Sequence, residues 1–328
     1  MLEKQQIGYE CVEYKPIRTW NILKSVANLF SNVYSLYRIT GFSEVDIVCS
    51  NSTTSHIYAG FLSFLIKKPV IWIMHDYSAI KPLERFFRMS LARIVAVSDS
   101  IKRYYSGDHK YSVIPNGFRF DSIVTDSKQV MKYKKSHGEI FVIGLFGSLI
   151  ALKGAIYLVE AIHKLTSRGV SVKALLVGDL IEREMWYYNA LLEYIDRNGL
   201  RDHITLHEFV HPPFSLMKSC DVITNCSISD YGGPESFGRV IVEAMYLKIP
   251  VISTNVGGPA EIIENEVNGL LIPEKDSDAL AHAIMRLIDN DELAVQMSSR
   301  AHEMVKKKYD AKIVTVKWSA MFAAIGMN

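Results

Sequence analysis

The chain has 328 residues, enough for about two domains that each bury a core of their own. Hydrophobic residues make up 49% of the sequence and charged residues 22%, a balance typical of an ordered globular protein rather than a disordered one. The formal net charge is only +2 and no long basic block occurs, so the composition gives no support to a nucleic-acid-binding function.

The cysteines and the apolar runs predict a cytoplasmic protein. Cys11, Cys49, Cys220 and Cys226 show no C-x-x-C spacing and no disulfide density, which favours a reducing compartment. The longest apolar stretch, residues 140–152, is shorter than the roughly 20 residues that cross a bilayer. Basic clusters at 132–135 and 306–308 are more often simply solvated, but they leave open a peripheral contact with the inner face of the membrane.

The first half of the chain predicts a parallel sheet with helices on both faces, because short apolar runs alternate with helical patterns. The predicted strands are residues 46–50, 69–75, 93–98 and 111–115, with helices at 54–66 and 82–91. Residues 2–14 read as a helix end, a glycine turn and a strand. A doubly wound domain normally has a strand and glycine turn ahead of such a helix. We therefore expect the first domain to lack its first strand and, with it, roughly 30–40 residues.

The pattern restarts after residues 121–139, a polar segment that we interpret as a linker. The second half predicts five strands and five helices: strands 140–147, 171–178, 204–209, 221–226 and 250–254, and helices 154–168, 182–198, 237–247, 276–290 and 291–308. The prediction is an α/β protein with two doubly wound (Rossmann-like) domains facing a cleft. The predicted domains are residues 1–125 and 126–305. Residues 306–328 are predicted to form a terminal helix that packs back on the first domain. Ligands of such sheets bind beyond the carboxyl ends of the strands.

The stretch "PESFGRVIVEAM" at 234–245 carries the strongest chemical signal. Helical periodicity begins near Phe237, so the backbone N–H groups of Ser236, Phe237, Gly238 and Arg239 would form a positive helix end suited to phosphate. Glu243 lies in an apolar run, where a buried carboxylate needs hydrogen-bond donors. A diol such as a ribose would supply them, and the alternative is an ordinary amphipathic helix with Glu243 exposed.

A second signal is "GSLIALKG" at 147–154, where a strand ends at a glycine turn and Lys153 precedes a helix. The Lys153 ammonium is then placed to meet a diphosphate. By itself, a lysine and glycine at a helix start are more often structural. In the first half, "WIMHDYSA" ends a predicted strand with His75 directed to the cleft, and a lone histidine at such a position is likewise more often structural.

These stretches resemble the family 4 glycosyltransferases of GT-B fold. The family carries E-x-F-G-x-x-x-x-E-A, and Glu235, Phe237, Gly238, Glu243 and Ala244 match it position by position. The run at 248–284, with its strand, glycine pair, glutamate, glycine and proline, also matches. In the family pattern G-R-x-x-x-x-K-G, the chain has glycine, lysine and glycine but a serine in place of the arginine.

The resemblance implies a role for each matched position. Glu243 would hold the nucleotide ribose, and Glu235 and His75 would lie at the transferred sugar as the catalytic pair. The donor diphosphate would rest on the helix end, Lys153 and the loop formed by Gly147 and Ser148. Ser148 removes one phosphate-binding charge, which Arg239 or another cation would have to replace.

The resemblance further implies a retaining transfer of a sugar from a nucleotide-sugar donor to a hydroxyl of a glycan or lipid-linked acceptor, in surface polysaccharide biosynthesis. The first domain would be the acceptor side and the second the nucleotide-sugar side. No metal or other cofactor is expected. The "DSD" at 276–278 and "DND" at 289–291 imitate metal motifs, but Asp276 and Ser277 suit a helix cap.

Two alternatives remain open. One is a GT-B sugar-nucleotide epimerase, which would accumulate a sugar–diphosphate product without any acceptor. The other is a noncatalytic or impaired nucleotide-sugar-binding subunit, which would bind the donor without turnover. A dinucleotide-dependent oxidoreductase is disfavoured, because no G-x-G-x-x-G follows a predicted strand.

Overall fold

The first sheet is parallel and is built from short strands. The computed structural model describes residues 22–38, 45–77, 91–104, 111–137, 139–230 and 233–325. Within the part up to residue 137, four strands pair in the order β1-β2-β3-β4. They are β1 (Val48–Ser50), β2 (Val70–Met74), β3 (Leu91–Ala96) and β4 (Tyr111–Val113). The helices described there are α1 (Ile22–Tyr37), α2 (Thr53–Ile66), α3 (Asp99–Tyr104) and α4 (Ser127–His137).

Both faces of this sheet are covered, as expected for a parallel sheet. Along β2, Val70 and Trp72 face one core cluster, whereas Ile71 faces another that contains Val314 and Met321. These last two residues lie on the helix nearest the carboxyl terminus, which therefore packs on the first sheet. Most of the predicted helix 82–91 and all of the 2–14 segment lie outside the described residues, and residue 91 itself is in β3.

The second sheet reverses its strand order at its centre. In residues 139–230 and 233–325, six parallel strands pair in the order β10-β9-β8-β5-β6-β7. The chain moves from β5 to β6 and β7 on one side, and from β8 to β9 and β10 on the other. These strands are β5 (Phe141–Phe146), β6 (Val172–Val177), β7 (Ile204–His207), β8 (Val222–Asn225), β9 (Val251–Thr254) and β10 (Leu270–Ile272). The gap between the ends of β5 and β8 is the switch point where such sheets bind ligands.

Helices follow the strands of the second sheet. They are α5 (Ala155–Thr166), α6 (Met185–Arg197), α7 (Phe214–Met217), α8 (Arg239–Tyr246), α9 (Pro259–Ile262), α10 (Ser277–Ile288), α11 (Asp291–Tyr309) and α12 (Ala311–Ala324). The prediction of two parallel-sheet α/β domains is confirmed. No helix in the described residues is long and apolar enough to cross a membrane.

Two segments next to the predicted domain boundaries contain helical structure. The segment 121–139, which the sequence predicts to be a linker, contains a helix: Asp126 accepts hydrogen bonds from the Lys128 and Gln129 amides and so caps α4. The boundary at 305 falls inside α11, and the chain breaks instead at Asp310. There the backbone pairs with Phe118: the Phe118 amide donates to the Tyr309 carbonyl at 2.8 Å, which interrupts the helix.

Candidate functional site

A cavity of about 200 Å³ lies at the switch point, between the carboxyl ends of β5 and β8. Three charged side chains, Lys153, Glu235 and Arg239, line it together with backbone of the strand ends. The volume is smaller than the roughly 300–1,000 Å³ of a complete ligand pocket. The cavity therefore accommodates a part of a ligand whose remainder extends into the cleft.

Lys153 reaches the cavity on a short turn after β5. Gly147 follows the strand and lines the cavity, and the chain then forms a 3-10 turn over Ala151–Lys153 before α5 begins. The Ile228 amide donates to the Leu152 carbonyl at 3.0 Å, which ties this turn to the segment after β8. Two strand-end segments are thus fixed against each other, and the lysine points between them.

Lys153 and Glu235 form an ion pair across the cavity. The Lys153 side chain is 27% exposed and that of Glu235 is 17% exposed, so both charges are largely removed from bulk water. Burying two charges is tolerated when each has the other as a partner. A ligand that occupies the cavity therefore meets one cation and one anion that are already placed side by side.

The loop that carries Glu235 is held by a glycine pair after β9. The Gly258 amide donates to the Glu235 carbonyl at 2.8 Å. A Cβ at Gly257 would lie 2.2 Å from that same carbonyl oxygen, and one at Gly258 would lie 2.4 Å from the Ser236 carbonyl. Only glycine permits this approach, since real Cβ atoms do not come so close. The "GGPAE" stretch thus supports Glu235, a role that the sequence analysis did not assign.

Helix α8 begins at Arg239 rather than at Phe237, which corrects the predicted start. Gly238 has a φ of +93°, a left-handed conformation that cannot belong to a right-handed helix. The Phe237 side chain is buried against the Phe118 ring at 6.1 Å and the Tyr309 ring at 5.6 Å. The free amides of the first turn therefore begin at Arg239, and Ser236 and Phe237 precede the helix.

Glu243 lies one turn along α8 and is not directed into bulk water. Its side chain is 13% exposed, and its closest charged partner is Arg239, at 3.4 Å between Nη2 and Oε1. Burial raises the pKa of the Glu243 carboxyl, which the charges of Arg239 and His211 offset only in part. His211 belongs to the loop after β7, so this loop lies near the carboxylate. A desolvated carboxylate with one weak partner has free capacity to accept hydrogen bonds.

His75 follows β2 and is held by the first domain. Its Nε2 lies 2.6 Å from Oδ1 of Asn51, the residue that follows β1. Burial lowers the pKa of His75, and the Asp76 carboxylate opposes this shift. Tyr77, two residues after His75, packs against the second domain. A Cβ atom added at Gly233 would lie only 2.6 Å from Cγ of Tyr77. The strand end that carries His75 thus lies against the loop that carries Glu235.

The remaining predicted position, Ser148, is not among the residues that line the described cavity. It accepts a hydrogen bond from the Ile150 amide at 2.9 Å, within the turn that leads to Lys153. Sequence reasoning missed Ser227, which lines the cavity and is 1% exposed. Within the described chain its hydroxyl has no hydrogen-bond partner. The only available sequence signal was its position just after a strand.

The two metal-like motifs serve as helix caps. The Asp276 side chain accepts from the Ala279 amide at 2.8 Å and begins α10, as the sequence predicts. Asn290 does the same for α11 through the Leu293 amide at 2.9 Å. Among the residues described, no group of three or more histidine, cysteine, aspartate or glutamate side chains is arranged to hold a metal ion.

Comparison with protein families decides which family the chain belongs to. Residues 127–304, more than half of the chain, match the family described as glycosyl transferases group 1. The chain belongs to the group 1 glycosyltransferases. Residues 3–121 match the model described as Glycosyltransferase Family 4, so the two matches together span both sheets of this glycosyltransferase.

Relatives and solved structures agree with this assignment. The glycosyltransferase is 24% identical over 318 residues to the capsular polysaccharide biosynthesis glycosyltransferase CapM of Staphylococcus aureus, covering 90% of this chain and 81% of the relative. It is 28% identical over 239 residues to a phosphatidyl-myo-inositol mannosyltransferase of Mycobacterium leprae, covering 71% and 59%. The structure of Anabaena Alr3699/HepE in complex with UDP and glucose superposes with a TM-score of 0.85 at 26% identity, covering 98% and 88%. The predictions of the family, the GT-B fold and glycosyltransferase function are confirmed.

Proposed function

We propose that this glycosyltransferase moves a sugar from a nucleotide-sugar donor to a hydroxyl of a glycan or lipid-linked acceptor, with retention of the anomeric configuration and without a metal ion. One observation carries the proposal. A cation, an anion and the first turn of α8 meet in one cavity at the switch point of the second sheet. A diphosphate bonded to a sugar offers groups that match all three.

The diphosphate would take the basic side of the cavity. The ammonium of Lys153 and the free amides at the start of α8 both favour an anion, and Arg239 is among the residues that line the same cavity. Arg239 would supply the charge that the family pattern has at the position of Ser148. The hydroxyl of Ser227 would donate to a phosphate oxygen after a rotation about its χ1 angle.

The ribose would bind at Glu243. Its hydroxyl groups are donors, and the desolvated carboxylate has only a weak contact with an exposed arginine, whose side chain is 61% exposed. A hydrogen bond to a charged group contributes about 1.5–3 kcal/mol, more than one to a neutral group. The nucleobase would then lie toward the loop of His211.

The reaction breaks the bond between the anomeric carbon and the phosphate oxygen, and it forms a bond from that carbon to the acceptor oxygen on the same face. The proton of the acceptor hydroxyl leaves with the nucleoside diphosphate. Lys153 and the α8 amides would stabilise the charge that develops on the diphosphate, since they are in place before the reaction. Glu235 and His75 would position the sugar from the two domains.

The relatives support the donor and acceptor classes. The Anabaena structure is a complex with UDP and glucose, CapM belongs to capsular polysaccharide biosynthesis, and the Mycobacterium leprae relative is a phosphatidyl-myo-inositol mannosyltransferase. We therefore place the glycosyltransferase in the synthesis of a surface glycan, with UDP-glucose as the first donor to try. No nucleic acid is involved.

A peripheral contact with the inner face of the membrane belongs to the same proposal. Val26, Phe30, Tyr34 and Tyr37 lie three or four residues apart along α1, and their exposed fractions run from 45% to 63%. Neither α1 nor α2 contains an acidic residue. An exposed apolar stripe without anionic charge suits an anionic lipid surface, where a lipid-linked acceptor resides.

Vesicle cosedimentation tests this contact. Vesicles of phosphatidylglycerol and phosphatidylcholine should retain the wild type and lose a variant with Phe30→Ser and Tyr34→Ser. Val295→Ser is the control, because Val295 is as exposed, at 64%, but lies on α11. Equal retention of all three proteins contradicts the contact.

Incubation with a panel of nucleotide sugars and glycan acceptors tests the transfer itself. We expect turnover with at least one donor, no loss of rate when a chelator is added, and an α-linked product from an α-linked donor by proton NMR. Glu235→Gln should lower the rate by roughly 100-fold, as expected when a positioning group at the sugar is lost. Glu193→Gln is its control, because the Glu193 side chain is 68% exposed on α6. Donor binding without turnover across the panel contradicts transfer, and an inverted product contradicts retention.

A further inference from the structure

Glu261 of the second domain contacts a helix of the first domain. Its Oε2 accepts a hydrogen bond from the Asp99 amide at 2.8 Å, at the start of α3. Its Oε1 pairs with Nη2 of Arg103, on the last turn of that helix, at 2.9 Å. The Glu261 side chain is 24% exposed, whereas that of Arg103 is 70% exposed. One carboxylate thus both caps α3 and neutralises a cation on it.

The same residue is linked to the loop that carries Glu235. Glu261 lies on α9, which begins immediately after Gly258. The Gly258 amide donates to the Glu235 carbonyl, and the close approach of Gly257 to that carbonyl leaves the loop little freedom. Only two residues of chain, Pro259 and Ala260, therefore separate the interdomain contact of Glu261 from the backbone contact between Gly258 and Glu235.

The opposite end of the loop also meets the first domain near α3. Tyr77 is 8% exposed, its ring lies against Gly233, and its hydroxyl is 2.6 Å from Oγ of Ser100 on α3. Tyr77 follows His75 by two residues. The loop from Gly233 to Gly238 is therefore contacted at Gly233 by Tyr77 and at Glu235 by the glycine pair, and both contacts lead to α3.

We propose that Glu261 is a positioning residue, which fixes the position of Glu235 in the second domain relative to His75 in the first. It does so by attaching the segment that contains the glycine pair to α3. The inference rests on the proposed function, since it concerns the step in which groups from both domains act on the sugar. Donor binding should not depend on Glu261, because Lys153, Arg239 and Glu243 all belong to the second domain.

The ion pair with Arg103 and the hydrogen bond from the Asp99 amide contribute unequally to the contact between Glu261 and α3. Arg103 is 70% exposed, and an exposed ion pair contributes little in water. The hydrogen bond from the Asp99 amide instead satisfies a helix-end donor that has no partner within its helix. Glu261→Gln keeps an oxygen acceptor for that amide and loses the ion pair, whereas Glu261→Ala loses both. The alanine variant should therefore be more impaired than the glutamine variant.

Steady-state kinetics of sugar transfer test the proposal. We expect Glu261→Ala to lower kcat by about tenfold or more while the donor KM changes less than about twofold, and Glu261→Gln to lie between it and the wild type. Glu266→Gln is the control. Glu266 makes a two-point contact with Arg286, at 2.6 and 2.7 Å, within the second domain, so neither constant should change. An unchanged kcat in Glu261→Ala, or a rise in KM that accounts for the whole loss, overturns the proposal.

Hydrogen exchange gives a readout that does not depend on turnover. Glu261→Ala should speed amide exchange in both 99–104 and 233–238, and Glu266→Gln should speed neither. Faster exchange in 99–104 alone overturns the coupling, because the loop would then be independent of the contact. If the wild type transfers no sugar from any donor, the proposed function fails, but this exchange result still decides the role of Glu261.

Discussion

Replacement of Glu243 by glutamine tests the ribose assignment with the least change in shape. The glutamine side chain keeps the length of the glutamate and removes only its charge. In the free protein this carboxylate is 13% exposed, and its contact with Arg239 is 3.4 Å long. Its raised pKa, caused first by burial, indicates that the environment opposes ionisation.

The expected effects on binding and on stability have opposite signs. If the carboxylate accepts hydrogen bonds from the ribose, the loss of its charge should weaken binding of UDP by about 1–3 kcal/mol, roughly 5- to 150-fold in Kd. The free energy of unfolding at neutral pH should not fall, because the substitution removes a poorly solvated charge whose partner is exposed.

Isothermal titration calorimetry with UDP measures the first effect, and urea unfolding measures the second. Glu193→Gln is the matched control, since Glu193 also forms an i,i+4 ion pair, with Arg197, but is 68% exposed on α6. An unchanged UDP affinity in the Glu243 variant refutes the ribose assignment. A loss of unfolding free energy as large as the loss of binding refutes the idea that the carboxylate is held unsatisfied for a ligand.

Further predictions concern the same site. Because burial raises the folded-state pKa of Glu243, its ionised form opposes folding. Its contribution to stability should therefore fall as pH rises from the ordinary glutamate range through the raised pKa, and Glu243→Gln should abolish that slope in urea unfolding measured at several pH values. UDP affinity should fall on acidification at a higher pH than an ordinary carboxyl would give, and calorimetry at several pH values checks this. Lys153→Gln should weaken UDP binding by about 1.5–3 kcal/mol and leave Glu235 without its ion-pair partner; unchanged affinity would contradict a diphosphate in this cavity. Gly257→Ala should cost at least about 1–2 kcal/mol of unfolding free energy, because its φ is +66° and the added Cβ meets the Glu235 carbonyl; an unchanged urea midpoint would contradict this strain.

The local signals in the sequence describe the second domain well. The alternation of apolar runs and helical patterns predicts five of its six strands to within a few residues, because most of these strands are largely buried and several helices have a cap or a glycine at an end. The three-residue strand β10 (Leu270–Ile272) is missed. The helix 237–247 is predicted two residues too early at its start. Periodicity alone does not reveal that Gly238 adopts a left-handed conformation.

The segments next to the domain boundaries are less well described by local signals. A polar composition at 121–139 predicts a linker but does not reveal the helix within it, which Asp126 caps. The break between α11 and α12 has no strong breaker in the sequence. It depends on Phe118, which pairs with the backbone at Asp310 from nearly two hundred positions earlier in the chain.

The amino-acid sequence by itself determines the two α/β domains, the family, and the spacing of Glu235 and Glu243, because each depends on residues that are near one another in the chain. The tertiary structure alone decides which side chains meet. Lys153 and Glu235 are 82 positions apart and pair only because β5 and β8 are neighbours at the switch point of the sheet. Asp99 and Glu261 are 162 positions apart and meet only where the two domains touch. No local period encodes such contacts, since strand order and domain packing arise from burial of the whole chain.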